Sequence, residues 1–217
     1  MNFPNIDNVV FSIGKVQMGN YIPLGTCFSL SNPGLFATAA HVLDGSDKDI
    51  FIRINTQFIN GYQDIQTSEH HCLPVKIVHY DPLRDTCVFS VEVQISPNIV
   101  VSNTDNLNPG ETVTVFGFPH SNLNRIVLTQ QTCEVGAKIY LDSNGIKSKH
   151  IVLNIQSRPG QSGGPIIRNS DGSLVGILIG SYVPNISGGI SLGGIDPQTL
   201  HQTTHAVSTE YLGEMIK

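Results

Sequence analysis

The stretch Arg158-Pro159-Gly160-Gln161-Ser162-Gly163-Gly164-Pro165 decides how this chain is to be read. It sets one serine among glycines, between the apolar run Ile151-Val152-Leu153-Asn154-Ile155 and Pro165-Ile166-Ile167. Glycine lets the backbone take angles that other residues resist and lets a second chain approach closely. A serine on such a turn can hold its hydroxyl outward while neighbouring N–H groups converge beside it. Nucleophilic attack on a carbonyl needs both, a reachable oxygen and donors for the charge that develops. The alternative is a glycine-rich hairpin loop with an incidental serine, and the motif alone leaves the two open.

Two more stretches bear on the choice: Phe36-Ala37-Thr38-Ala39-Ala40-His41-Val42-Leu43 and Asp81-Pro82-Leu83-Arg84-Asp85-Thr86-Cys87-Val88-Phe89. By itself a histidine after Thr-Ala-Ala packs or caps, and an aspartate in a Pro-containing turn forms the turn. Asp81 is that turn former, whereas Asp85 opens the strand 86–89. His41, Asp85 and Ser162 follow one another at intervals of 44 and 77 residues. Together the three motifs resemble those of the trypsin-like serine peptidases of the chymotrypsin fold. Subtilisin and the α/β-hydrolases use the same residue types in other orders. The aspartate motif is similar to the Asp-Pro-x-x-Asp-x-Ala-Val-x of bacterial HtrA-like and stand-alone trypsin-like peptidases. As there, an Ile-Gln-Ser strand end, Ile155-Gln156-Ser157, precedes the serine loop. The resemblance runs roughly from Val10 to Val207.

Composition agrees with that class. The 217 residues can enclose a sizeable core. With 21 Gly, 12 Pro and only 13% charged residues, short Val/Ile/Phe/Thr-rich runs are broken by turn formers, the pattern of an all-β protein. A net charge of −5 without a Lys/Arg cluster argues against a nucleic-acid surface. No stretch reaches the ~18 apolar residues of a membrane span, and the first residues lack the basic start and apolar core of a secretory signal. Cys27, Cys72, Cys87 and Cys133 show no paired spacing and read as reduced thiols, which places the protein in the cytoplasm. Secreted members of the resembling family often bridge a cysteine placed directly after the histidine; here that position is Val42. His70-His71-Cys72 lacks a matching fourth ligand, so no metal and no cofactor are expected.

Strands are predicted over residues 9–16, 21–30, 35–39, 49–55, 73–80 and 86–93, with a polar surface loop at 60–71. Residues 95–109, rich in Asn, Pro and Ser, lack periodicity and read as a connection. Further strands are predicted over 111–117, 125–140, 150–156, 164–169, 174–181 and 204–208. Asp171-Gly172 forms one hairpin turn, and Ser208 caps a short C-terminal helix through Ile216. The resemblance turns this into two six-stranded antiparallel β-barrels of the chymotrypsin type, with the active site in the cleft between them. Closure also explains how so many short strands avoid exposed edges. The expected division is an N-terminal barrel over 1–95 carrying His and Asp, a linker over 96–110, and a C-terminal barrel over 111–217 carrying Ser and the helix. The glycine-rich stretch 184–202 departs from the minimal family pattern; it is either a flap or docking loop near the cleft or an excursion without a role.

The resemblance implies a serine endopeptidase acting on protein or peptide substrates. Ser162 would attack, His41 would move the proton and Asp85 would orient the imidazole. The backbone N–H groups of Gly160 and Ser162 would form the oxyanion hole. The substrate pocket would be lined by Gln156, Ser157, Ile179, Gly180 and Ser181. Trypsins that cut after Lys or Arg carry an acidic residue six positions before the nucleophile. Gln156 stands there instead, and the wall strand lacks the histidine of glutamate-specific relatives, so a small or medium apolar residue before the cut is expected. Gln161 replaces the aspartate that receives a freed N-terminus in digestive zymogens. The hole is then either formed constitutively or assembled when the substrate, or a separate regulatory or recruiting protein, orders the loop at Pro159-Gly160-Gln161. Two rival readings are a non-cleaving peptide-binding scaffold on the same fold and a viral-type polyprotein-processing protease.

Overall fold

A computed structural model describes residues 5–65, 71–93, 95, 97–123, 125–182 and 203–216. The glycine-rich stretch 184–202 and His70 lie outside the described residues. Twelve strands form two closed six-stranded antiparallel barrels, as the chymotrypsin-like reading expects. The first comprises β1 (Val10–Gln17), β2 (Asn20–Ser29), β3 (Leu35–Thr38), β4 (Ile50–Arg53), β5 (Cys72–Asp81) and β6 (Thr86–Val91), closed in the order β1-β2-β3-β6-β5-β4. The second comprises β7 (Thr112–Gly117), β8 (Thr129–Ser143), β9 (Ile146–Leu153), β10 (Pro165–Arg168), β11 (Leu174–Tyr182) and β12 (Thr203–Ser208). Its order is β10-β11-β12-β9-β8-β7.

Strand alternation divides the apolar residues among three cores. Phe11 and Ile13 of β1 point into the first barrel, where Phe36 meets Phe11 edge-on and stacks on Phe89. Val113, Val115, Ile151, Leu153, Ile166 and Leu178 fill the second. Residues on the opposite faces, among them Val10, Phe28 and Leu30 with Phe116, Ile177 and Val207, make a third core that joins the barrels. Burial on both faces is why these strands read as nearly continuous apolar runs. Each fully buried large side chain contributes about 1.5–3 kcal/mol, so the seam between the barrels adds to stability alongside the two interiors. Residues 101–104 bond to the second barrel, and Leu107 is buried in its core.

Two local expectations are corrected. The strand predicted over 125–140 starts at Thr129 and runs on to Ser143, and its partner begins at Ile146 rather than at 150. Asn144 and Gly145, both at positive φ, turn this long hairpin, as an Asn-Gly pair favours. The C-terminal helix is shorter than predicted: a 3-10 turn over Thr209–Tyr211 leads into α2 (Leu212–Met215). Ser208 makes no side-chain cap, because its hydroxyl accepts the Thr104 N–H and turns to Glu210.

Candidate active site

β3 ends where Ala39 and Ala40, both fully buried, allow a one-turn helix α1 (Ala40–Leu43) to lie close against the first barrel. His41 is its second residue, with a side chain about half exposed at 47%. Asp85 precedes β6 in the left-handed region (φ 55), a conformation that aspartate tolerates better than most residues. That backbone lets Asp85 grip the start of α1 three times, twice at His41 itself. Its carbonyl accepts the Ala40 N–H at 3.2 Å, Oδ1 accepts the His41 N–H at 2.8 Å, and Oδ2 lies 2.7 Å from His41 Nδ1. A carboxylate accepts, so Nδ1 carries a proton, and in the neutral imidazole Nε2 is then the acceptor. Asp81 forms the preceding turn, accepting the N–H groups of Leu83 and Arg84 and an Arg84 guanidinium at 2.8 Å. Burial raises the Asp81 pKa, but these hydrogen bonds outweigh it and hold the carboxyl below its ordinary range.

Ser162 sits in the loop between β9 and β10. The Gly163 N–H donates to Leu178 at 2.7 Å, the Leu178 N–H to Gly164 at 2.8 Å, and the Gly164 N–H to Gln161 at 3.0 Å. Gln161 is fully buried; its Oε1 accepts the Arg158 N–H and its Nε2 donates to Gln131, both at 2.7 Å. Gly163 is at φ 85, and a Cβ there would lie 2.1 Å from Thr38 Oγ1 and 2.2 Å from Thr26 O. The serine loop therefore presses directly on the strand end that leads to His41. The Ser162 hydroxyl donates to the Ile179 carbonyl at 2.9 Å. Its hydrogen bond thus points along the wall strand instead of to the imidazole, and such pairs often tighten only once substrate is bound.

The predicted pocket residues fall on two neighbouring segments. Ile179 lies at a bulge of β11, and Gly180 lies beside Ser162, where a Cβ would be in ordinary contact with Ser162 Oγ at 3.6 Å. Ser181 pairs with Thr204 through β11 and β12. Ser157 is buried, and its N–H donates to Thr204 Oγ1, which in turn donates to the Ile155 carbonyl. Thr204 thus ties the segment holding Gln156 and Ser157 to the wall, a role that nothing in the sequence marked. Burial raises every thiol pKa: Cys27 well above its ordinary value, Cys72 upward, Cys87 to about 12 and Cys133 to about 11. None of them is a standing thiolate at neutral pH. Among the described residues no cluster of His, Cys, Asp and Glu is placed to hold a metal, and no helix is long and apolar enough to cross a membrane.

The family described as trypsin-like peptidase domain matches residues 25–177. A probable periplasmic serine endoprotease, DegP-like, from a Marinomonas species is 29% identical over 173 residues, 80% of this chain and 32% of that protein. Its counterpart in Pseudomonas fulva is 32% identical over 158 residues, 71% of this chain and 28% of that protein. The chain thus spans about a third of the length of these curated relatives. Among solved structures, the MamO protease domain of Magnetospirillum magneticum aligns over 100% of both chains with a TM-score of 0.71 at 15% identity. The active form of the Rv3671c protease of M. tuberculosis covers 97% of this chain and 80% of its own, with a TM-score of 0.69 at 18% identity. Both curated relatives are named periplasmic, which overturns the cytoplasmic placement. That placement rested on unpaired cysteines, and all four are indeed free. Free thiols record only that no bridge forms; they do not report the compartment.

Proposed function

This chain belongs to the trypsin-like peptidase domain family, and from that premise we propose that it is a serine endopeptidase working through His41, Asp85 and Ser162. The observation that carries the reading is the double grip of Asp85 on His41, through its backbone N–H and Nδ1, beside a serine loop wedged against the same strand end. His41 Nε2 takes the Ser162 proton as Oγ attacks the scissile carbonyl. The negative oxygen that results is received by the N–H groups of Gly160 and Ser162. Collapse expels the amine, which takes its proton from His41, and leaves an acyl-enzyme on Ser162. Water, deprotonated by the same imidazole, releases the acid. Gln156, Ser157, Ile179, Gly180 and Ser181 line the pocket for the residue before the cut. They bring no charged side chain, which supports a small or medium apolar residue there. The substrates are proteins or peptides, and the names of the curated relatives point to the periplasm. Residues 1–95 and 111–217 form the two halves of the enzyme, with 96–110 as the connection.

A fluorophosphonate serine-hydrolase probe tests the reading. Wild-type protein labels and Ser162→Ala does not, and a peptide library is cleaved after Ala, Val or Leu. Folded wild type that neither labels nor cleaves, alone or with periplasmic extract, would return the protein to the class of peptide-binding scaffolds. Cleavage mainly after Lys, Arg or Glu would remove the pocket assignment alone.

A further inference from the structure

Four peptide planes make up the serine loop from Pro159 to Gly163, and each is pinned by a hydrogen bond to its carbonyl. The Pro159 carbonyl accepts the His120 N–H at 2.7 Å, and the Gln161 carbonyl accepts the Gly164 N–H at 3.0 Å. The other two are held by one residue of the first barrel. Thr26 donates its hydroxyl to the Gly160 carbonyl at 2.7 Å and its backbone N–H to the Ser162 carbonyl at 2.8 Å. The same hydroxyl oxygen accepts the Phe118 N–H at 3.2 Å, so its proton is committed to Gly160. Thr26 is fully buried, and its own carbonyl is held by Thr38 Oγ1 at 2.7 Å.

In a trans peptide the carbonyl and the next N–H point in opposite directions. Holding Pro159 O against His120 therefore aims the Gly160 N–H the other way. Among the described residues the Gly160 and Ser162 N–H groups find no backbone acceptor, whereas those of Gln161 and Gly163 do. The two unengaged donors are the pair that the proposed mechanism needs. Turning the 159–160 plane over would break the His120 bond and rotate Gly160, whose far side Thr26 holds. Gly160 is at φ 94 with no room for a Cβ, which would lie 2.1 Å from Ser121 Oγ and 2.4 Å from Phe118 O.

We propose that Thr26 is a positioning residue for the oxyanion hole, clamping the Gly160 peptide together with the backbone of His120. The hole then stands ready in the free protein and no partner assembles it. The proposal rests on the serine-peptidase reading and deepens it.

The test measures kcat, KM and the fluorophosphonate labelling rate of purified full chain, wild type against Thr26→Val and Thr26→Ser, with dissociation constants for a peptidyl boronate and for the cleaved peptide product. Wild type labels without any added protein. T26V keeps the shape but loses the hydroxyl, so kcat, labelling rate and boronate affinity fall together by about tenfold or more, while KM and product affinity stay within about twofold. T26S restores all three. A folded T26V with wild-type kcat, or one whose loss lies in KM, overturns the proposal and leaves the peptidase reading intact. So does wild type that labels only when periplasmic extract is added. Wild type that never labels overturns both. If T26V fails to fold, a crystal structure of free wild type decides: a Pro159 carbonyl turned toward Ser162 refutes the clamp, and one turned to His120 upholds it.

Discussion

Replacing Asp85 by Asn changes one atom and sets two hydrogen bonds against each other. Asp85 Oδ1 accepts the His41 backbone N–H, a donor that cannot reverse, and Oδ2 accepts from Nδ1. An asparagine that keeps its oxygen on the backbone N–H turns its NH2 toward Nδ1. The imidazole must then protonate Nε2, and it can no longer take the Ser162 proton. The flipped amide restores the working tautomer but sets NH2 against the backbone N–H, costing roughly 1–3 kcal/mol for the unmet donors. That leaves on the order of one molecule in ten to one in a hundred competent. Loss of the charge that steadies the imidazolium adds further decades, and the expected fall in kcat/KM is on the order of 10⁴, or ~5.5 kcal/mol. The assay is cleavage of a fluorogenic apolar-site peptide near pH 7.5 by wild type and Asp85→Asn, with near-UV circular dichroism to confirm equal folding. A loss smaller than about tenfold in the folded variant would refute the assigned role of Asp85.

Gly163→Ala places a methyl within 2.2 Å of Thr38 Oγ1 and Thr26 O at a left-handed position; the variant should lose several kcal/mol of stability and all peptidase activity, read by urea denaturation and probe labelling, and a soluble active variant would contradict the close approach. His150 is buried against Ser148, with Nδ1 lacking a hydrogen-bond partner among the described residues, and burial, aided by His205, lowers its pKa from 6.5 to about 4. The unfolded chain therefore binds this proton more readily, so the stability linked to His150 is complete above about pH 6.5 and is lost as pH falls toward 4, by up to about 3 kcal/mol. His150→Gln should flatten the difference between unfolding free energies at pH 7.5 and 4.5, and an unchanged difference would remove His150 as its source.

The residues proposed to carry the chemistry are legible because the local chain marks them. His41 ends a strand behind two alanines, Asp85 opens another after a Pro-containing turn, and Ser162 lies among glycines whose angles the loop requires. The residues that hold them are not. Thr26 is one threonine in a strand, and its partner Gly160 lies 134 positions away; nothing local distinguishes it from a packing residue. In the sequence Gln161 stands out only as a missing aspartate, though its amide joins Arg158 to Gln131. The β8–β9 boundary is harder to place although Asn144-Gly145 is a strong turn signal, because the polar residues on both sides hide an alternation that runs on to Ser143. The cytoplasmic reading failed for another reason: it drew a compartment from a bond that does not form.

Each barrel closes through its own ladder, yet two of the four anchors of the serine loop cross from one to the other through Thr26. Shape and aptitude are therefore held by different parts of the molecule. A disturbance that slid the halves apart by an ångström or two would leave both ladders closed and their circular dichroism nearly unchanged, while the Gly160 and Ser162 carbonyls lost their anchors. On warming, such a protein should go silent before it melts, and on cooling it should regain its voice as soon as the halves reseat.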